Sequence, residues 1–566
     1  MVRLRDSFAL LLSTVVLQTA LATNTDEDLR VLGPQGINLW KVNKQTSAVS
    51  AHSAYSAQGS QQIPLNARPY PEFPAHWFKQ PLDHFSNSSE TFGQRYWINT
   101  RHYKPRTGAP VIVIDGGETS GEDRLPFLDT GIADILAKAT GGIGVVLEHR
   151  YYGESIGVRN LSTDALRFLN NDQSAADSAH FMANVKFPGV KENLTALNTP
   201  WIYYGGSYAG ARAAHMKILY PELVFGAIAS SAVTHAALEN WEYMEIIRQA
   251  ADPKCSAHLE NTVRTIDNVL AHEGTVGVIL KRRLKSLFGV ADLEHDEDFV
   301  SLVTSPLSAW QAKNWDPTLG STRFDDFCEA LDKPIFGHAE VLSTLNESVS
   351  YDHEKRTVAL PDGQSFDFAL LNYAKWIREN YVSRCPVDEG ATIEQCFGTY
   401  DDSAYKGTSL QDTWRLWLFQ VCTEWGYFFS SPPPGLPRIV SSLITLEYEA
   451  KTCSQAFPPG KYFAVPEWPN ITAVNSLGDF DIADDKLAFI DGEVDPWRPC
   501  TPHSDYAKDR PDTIARPFKV IPGGVHHWDE NGLKRPADEP ADIQKIHKEI
   551  VEFVLEWLKD WKPKSY

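Results

Sequence analysis

Consecutive apolar residues recur along the chain at Val111–Ile114, Ile143–Leu147, Trp201–Tyr204, Phe225–Ile228, Leu487–Ile490 and Phe518–Ile521, each bounded by Gly, Pro or Asp. Such runs predict strands buried on both faces, because a half-solvated strand would alternate apolar with polar residues. Fully apolar strands suit a mostly parallel sheet covered by helices, an α/β fold. From Ala541 to Trp561, residues Ile543, Ile546, Ile550, Phe553, Trp557 and Trp561 recur at three- and four-residue spacing. That pattern predicts an amphipathic helix docked on the sheet.

Between Val233 and Gln455 the character changes to longer helical patterns, with six of the seven cysteines and an aromatic block at Trp414, Trp417, Phe419, Trp425, Tyr427, Phe428 and Phe429. This reads as a helical domain inserted between two halves of one α/β domain. A chain of 566 residues would otherwise suggest three or four domains at about 150 residues each. The expected organisation is a signal over 1–22, an arm over 23–70, a first α/β half over 71–233, an insertion over 234–455 and a second half over 456–566. The arm is rich in Ser, Ala, Gln and Asn and reads as a propeptide or a loosely ordered segment.

The first 22 residues carry Arg3 and Arg5, an apolar run Phe8–Leu17 and the small-residue site Ala20-Leu21-Ala22, which together read as a secretory signal. The run is too short to span a bilayer, so the expected product is secreted, with a vacuole or lysosome as the alternative, and free of membrane after cleavage. Five sequons, at Asn87, Asn160, Asn193, Asn346 and Asn470, mark expected glycosylation sites on surface loops. The formal charge of −20 excludes nucleic acid as a partner in the absence of a basic patch. The cysteines show no metal-ligand spacing, so neither metal nor cofactor is expected, and seven in an oxidising compartment imply three disulfides and one thiol left over.

The chemistry centres on Trp201-Ile-Tyr-Tyr-Gly205-Gly206-Ser207-Tyr208-Ala209-Gly210, an apolar strand running through small residues around a serine into the helical stretch Ala211–Leu219. A nucleophile elbow needs this pattern, since bulk two residues before or after the serine would strike the neighbouring strand and helix. Gly205 and Ala209 hold those positions, giving G-x-S-x-A in place of the commoner G-x-S-x-G. A serine hydroxyl needs a histidine to take its proton and a carboxylate to orient that histidine. In an α/β-hydrolase the chain order is Ser, acid, His. Here a strand ends in Asp491-Gly-Glu-Val-Asp495, and another ends in Gly523-Gly524-Val525-His526-His527. Spacing does not separate Asp491 from Asp495, or His526 from His527. The oxyanion hole would combine the Tyr208 N–H with one from the loop after Val111–Ile114, for which Gly117 is the candidate; its neighbour Glu118 either receives a substrate amine or, the favoured reading, holds the loop.

These residues resemble the secretory serine peptidases that include lysosomal Pro-X carboxypeptidase, dipeptidyl peptidase II and fungal prolyl endoproteases. The match runs through Phe78-Lys-Gln-Pro-Leu-Asp-His-Phe85, Gln94-Arg-Tyr-Trp97, Gly117-Glu118, Glu148-His-Arg-Tyr-Tyr-Gly-Glu-Ser155, Gly205-Gly-Ser-Tyr208, Trp417-Leu-Phe-Gln-Val-Cys-Thr-Glu424, Asp495-Pro-Trp497 and Gly523-Gly-Val-His-His527. The resemblance implies an α/β-hydrolase domain with a helical cap over the active site. It implies Ser207 as nucleophile, Asp495 as acid and His526 as general base, acting on peptides or proteins with proline before the cut. The aromatic block is then a candidate wall for the proline pocket, though most of its rings are expected in the core. The resemblance also implies disulfides Cys255–Cys328, Cys385–Cys396 and Cys422–Cys453, with Cys500 unpaired. This chain departs from the family at Ala209, where Gly is usual, and at Trp528, where Leu is usual. Two other readings stand beside a peptidase cleaving after proline: an esterase or lipase on the same fold, and a non-catalytic binding protein. Endo- or exopeptidase action, and a homodimer, are left open.

Overall fold

The computed structural model describes residues 32–55, 70–105, 108–334, 349–361 and 363–562. Its centre is an eight-stranded sheet: β1 (His76–Pro81), β2 (Thr91–Asn99), β3 (Val111–Asp115), β4 (Ile143–Leu147), β5 (Trp201–Gly206), β6 (Gly226–Ser230), β7 (Leu487–Gly492) and β8 (Phe518–Ile521). The spatial order is β1-β2-β4-β3-β5-β6-β7-β8, with β2 antiparallel to both neighbours and all later pairings parallel. This is the α/β-hydrolase arrangement. The six expected strands are all present, and β3, β4, β5, β6 and β7 are buried at every residue.

Both faces of the sheet are covered. On one lie α2 (Ile132–Thr140) and the C-terminal helix Ala541–Leu558, whose Ile543, Ile546, Ile550, Phe553 and Trp557 are buried as the spacing predicts. Each such side chain contributes about 1.5–3 kcal/mol of burial. A Cβ on Gly226 would stand 2.9 Å from the Trp557 ring, so the glycine makes room for the indole. Trp561 lies beyond the helix, which ends at Leu558. The opposite face carries α3 (Asn171–Asn184) and α4 (Tyr208–Leu219).

Between Ser230 and Leu487 the chain leaves the sheet. The excursion contains the helices Pro253–Leu270, Gly274–Leu287, Asp296–Thr304, Arg323–Asp332 and Phe368–Asn380 around their own apolar core. Residues 456–486 bridge this excursion and the α/β unit: the Asn470 N–H donates to Thr423 O and Asn475 Oδ1 accepts from the Ala236 N–H, while the N–H groups of Lys461, Tyr462 and Phe463 donate to Asp164. The cap carries all three implied disulfides, with Cα–Cα separations of 5.3 Å for Cys255–Cys328, 5.9 Å for Cys385–Cys396 and 5.6 Å for Cys422–Cys453. Cys500 is a buried free thiol.

The arm differs from its expectation. Residues Gly33–Tyr55 form a helix, α1, whose Ile37, Leu39 and Val42 are buried. Asn38 Nδ2 donates to Gly398 O, tying α1 to the cap. Its polar composition conceals a short apolar edge that the cap, absent from any local pattern, supplies with partners. The signal over 1–22 and the Asn346 sequon lie outside the described residues; Asn87, Asn160, Asn193 and Asn470 are exposed.

Candidate active site

At the end of β5 the chain turns directly into α4, and Ser207 occupies the turn with φ 61° and ψ −126°. An L-residue adopts that backbone only where its surroundings force it. The forcing is visible in the small residues: a Cβ on Gly205 would collide with the Ala209 carbonyl, and one on Gly210 with the Ser230 carbonyl. The Ser207 N–H donates to Ser230 O at 2.9 Å. Ala209 fits in place of the usual glycine because its methyl meets another gap, at Gly117.

The same end of β6 holds the histidine loop. Ser231 Oγ accepts the His527 N–H at 2.8 Å, and Asp529 accepts from the hydroxyls of Ser230 and Tyr204. Elbow and histidine loop are thus fastened to adjacent residues, Ser230 at the end of β6 and Ser231 just beyond it. His526 Nδ1 lies 2.9 Å and 3.1 Å from the two carboxylate oxygens of Asp495, with both side chains buried. His526 Nε2 has no hydrogen-bond partner among the described residues. Burial by itself raises the Asp495 carboxyl, but the His526 imidazole, with hydrogen bonds from Ser231 and Trp497, outweighs it and holds the group below the usual carboxylate range. An ionised carboxylate on Nδ1 favours the tautomer that leaves Nε2 as the base.

The alternatives in sequence go elsewhere in space. Asp491 Oδ2 accepts from Thr501 Oγ1 at 2.7 Å and meets His503 Nδ1 at 2.6 Å. His527 Nδ1 faces Glu530 Oε2 at 3.0 Å, from a strained backbone with φ 39°.

Tyr208, the first residue of α4, is buried, and its hydroxyl lies 2.8 Å from Gln420 Nε2 and 3.1 Å from His149 Nε2. Burial, reinforced by Arg212, pushes His149 down to about 3, so it is neutral. As N1 of the helix, the Tyr208 N–H has no intrahelical acceptor. The Gly117 amide has an intramolecular acceptor. Its N–H donates to Asp115 Oδ1 at 3.0 Å, because Asp115 ends β3 as the capping acid of the following turn. Asp115 is itself fixed by Arg212 Nε at 2.8 Å, so the Gly117 amide is engaged in the resting arrangement. Glu118 is buried alongside.

The shared motifs around the site are largely architecture. Glu148 accepts from Arg95, from Ser155 and from the N–H groups of Gly121, Glu154 and Ser155. A side chain on Gly153 would collide with that carboxylate. Arg150 pairs with Asp177 at 2.8 Å and donates to Leu82 O and Phe168 O.

The aromatic block divides. Phe419 packs on Phe457 and Phe463 in a cluster shared with Tyr151, Tyr152 and Leu166 of the α/β unit. Trp417 and Trp425 meet Tyr208 edge-on at 5.4 and 5.2 Å. Tyr427 and Phe429 pack on Trp497, whose ring lies 6.5 Å from His526. The cap also holds the loops that carry Asp495 and His526: Trp310 Nε1 donates to Val494 O, and Trp528 Nε1 donates to Lys313 O. Trp528, the departure from the family pattern, is thus a cap contact. Sequence reasoning missed Ser231 and Glu530, whose roles come from contacts across the chain; the i, i+3 spacing of Glu530 from His527 was the available signal.

Residues 80–360 and 368–549 match the model of the serine carboxypeptidase S28 family. The chain belongs to that family. It is a serine-type peptidase, which decides against the esterase and the non-catalytic readings. Among curated members, it is 39% identical over 507 residues to a probable extracellular serine carboxypeptidase of Arthroderma benhamiae, covering 86% of this chain and 68% of that one. It is 29% identical over 499 residues to the serine protease vicPb of Bipolaris victoriae, covering 85% and 89%. A thymus-specific serine protease of Mus musculus is 27% identical over 500 residues, covering 86% and 88%.

Proposed function

We propose that this S28 peptidase is secreted and hydrolyses the bond following proline through Ser207, His526 and Asp495. The observation that carries the triad is the buried Asp495–His526 pair, with Nε2 of the imidazole left without a partner, on a loop fastened beside the strained Ser207 elbow. His526 Nε2 takes the Ser207 hydroxyl proton as Oγ attacks the carbonyl carbon. The oxyanion forms against the Tyr208 N–H; the Gly117 amide joins it only on release from Asp115. Collapse breaks the C–N bond, and His526 returns the proton to the leaving amine. Water then hydrolyses the Ser207 ester by the same base.

The proline preference is supported by the family resemblance and by the Trp497 ring 6.5 Å from that of His526, backed by the buried rings of Tyr427 and Phe429, since a flat apolar ring packs well on an indole. Secretion is supported by the reading of residues 1–22, by the disulfides, by the exposed sequons and by the name of the Arthroderma relative. Among the described residues, no helix is long and apolar enough to cross a membrane. Product mapping by mass spectrometry on proline-containing peptides with free and blocked ends tests the reading. Cuts after proline support it, and cuts indifferent to proline contradict it.

A further inference from the structure

The turn that carries Asp495 is gripped on both sides by two consecutive residues of the cap. The short helix Ser305–Trp310 ends where Gln311 follows it, and both Trp310 and Gln311 are buried. Trp310 Nε1 donates at 3.1 Å to the carbonyl of Val494, the residue before the acid. Gln311 Oε1 accepts at 2.7 Å from the indole N–H of Trp497, two residues after the acid. One cap residue thus holds the backbone of the turn, and the next holds the side chain that lies beside His526.

Trp497 is tied from several sides. Its backbone N–H donates to Asp495 Oδ1 at 2.9 Å. Its ring meets those of Tyr243, Tyr427 and Phe429 edge-on, at interplanar angles of 79°, 79° and 73°. Those contacts fill the space around the indole but do not choose between its orientations, because both faces of the ring are apolar. The indole has a single donor, and any orientation that turned it away from Gln311 would bury an N–H without an acceptor. Gln311 is oriented in turn by a second donor, the Tyr243 hydroxyl, 3.1 Å from Oε1. Two donors converging on one amide oxygen fix which end of the amide faces Trp497.

We infer that Gln311 is a specificity-positioning residue: its amide oxygen fixes the orientation of the Trp497 indole, the ring on which the residue before the cut packs. The inference rests on the proposed peptidase reading, in which Trp497 walls the pocket beside His526. Gln311 does not touch the substrate and acts only through the indole N–H. Trp310, on the other side of the acid, acts through the backbone of Val494 and positions the triad without shaping the pocket.

The test measures kcat/KM on peptides that differ only in the residue before the cut, and reads the ratio of the preferred residue to alanine. The wild type is expected to prefer proline. Gln311→Leu, similar in bulk but without an acceptor, is expected to reduce the proline-to-alanine ratio by on the order of 10-fold, the scale on which small changes in an apolar pocket discriminate. Gln311→Glu keeps an oxygen acceptor at the same reach and is expected to retain most of the ratio. In a Trp497→Phe background, where no indole N–H remains, Gln311→Leu is expected to change the ratio no further. Trp310→Phe is expected to lower kcat by a common factor on every peptide and leave the ratio as it was. Thermal unfolding establishes that each variant is folded; should Gln311→Leu fail to fold, Gln311→Asn, which withdraws the acceptor by one methylene, takes its place in the same comparison. A ratio unchanged by loss of the acceptor overturns the inference. So does a loss as large in Gln311→Glu, or one that adds to that of Trp497→Phe. If the wild type prefers a residue other than proline, the proline reading fails separately and the ratio for that residue carries the same test. A wild type with no preference at this position overturns both.

Discussion

Asp491 and His503 form an aspartate–histidine pair, Oδ2 to Nδ1 at 2.6 Å, only four residues before the acid that reaches His526. The two pairs look alike in composition, yet one belongs to the scaffold around β7 and β8 and the other faces the elbow. His503 stacks on Phe518 of β8, which fixes the first pair to the sheet edge. Asp495→Asn is therefore expected to lower kcat by a factor on the order of 10⁴ with the fold intact. Asp491→Asn is expected to reduce the melting temperature by several degrees while costing far less activity. Steady-state kinetics paired with thermal unfolding separates the two, and reversed effects would exchange their roles.

The adjacent histidines are separated by the same logic. His526→Ala removes the base and is expected to cost a factor on the order of 10⁶ in kcat. His527→Ala removes a group that touches Glu530 and borders the site, and its effect is expected to be far smaller. Equal losses in the two variants would leave the assignment of the base without support.

Glu424, Glu449 and Asp529 contribute to the pH dependence of stability. Burial pushes Glu424 up to about 7, Glu449 up to about 8 and Asp529 up to about 6, from ordinary values near 4. A folded-state pKa raised above the unfolded one gives stability that is complete below the unfolded value and lost as pH rises through the folded value. These three carboxyls are thus expected to withdraw stability as pH rises between about pH 4 and pH 8. His149 and His215, which burial holds down to about 3, oppose them by withdrawing stability as pH falls below their ordinary value, and Asp115, Asp177 and Asp495, held below the usual range, do so at lower pH. Glu424→Gln, which has no carboxyl to ionise, should therefore lose less in unfolding temperature than the wild type as pH rises toward about 7. Parallel pH profiles for the two proteins would contradict this.

A chain lacking residues 23–55 is expected to unfold at lower temperature than the longer form, because Ile37, Leu39 and Val42 of α1 are buried. Equal melting temperatures would show that α1 contributes nothing to the folded state.

Much of this architecture was legible in the sequence because its physics is local. The six apolar runs became strands since only a sheet covered on both faces buries such segments, and Gly205, Ser207 and Ala209 became an elbow since small residues flank a strained serine. The strands β1 and β2 escaped notice: β1 is a half-buried edge, and β2 buries the polar Gln94 and Arg95, which pair with partners far along the chain. The acid was illegible from spacing because both aspartates follow the same apolar run, and only the turn at Gly492–Val494 decides which faces His526. The acceptor that holds the Gly117 amide, Asp115 two residues before it, was within reach of the sequence as an Asx turn. The contact of Gln311 with Trp497 is purely tertiary.

The central claim is that Ser207 is the nucleophile of a peptidase that cuts after proline, and it is tested most directly by the turnover of Ser207→Ala on a peptide the wild type cleaves at that bond. The account predicts a fall in kcat by a factor on the order of 10⁶ with an unchanged melting temperature. Hydrolysis at near wild-type rate by the folded variant would contradict it.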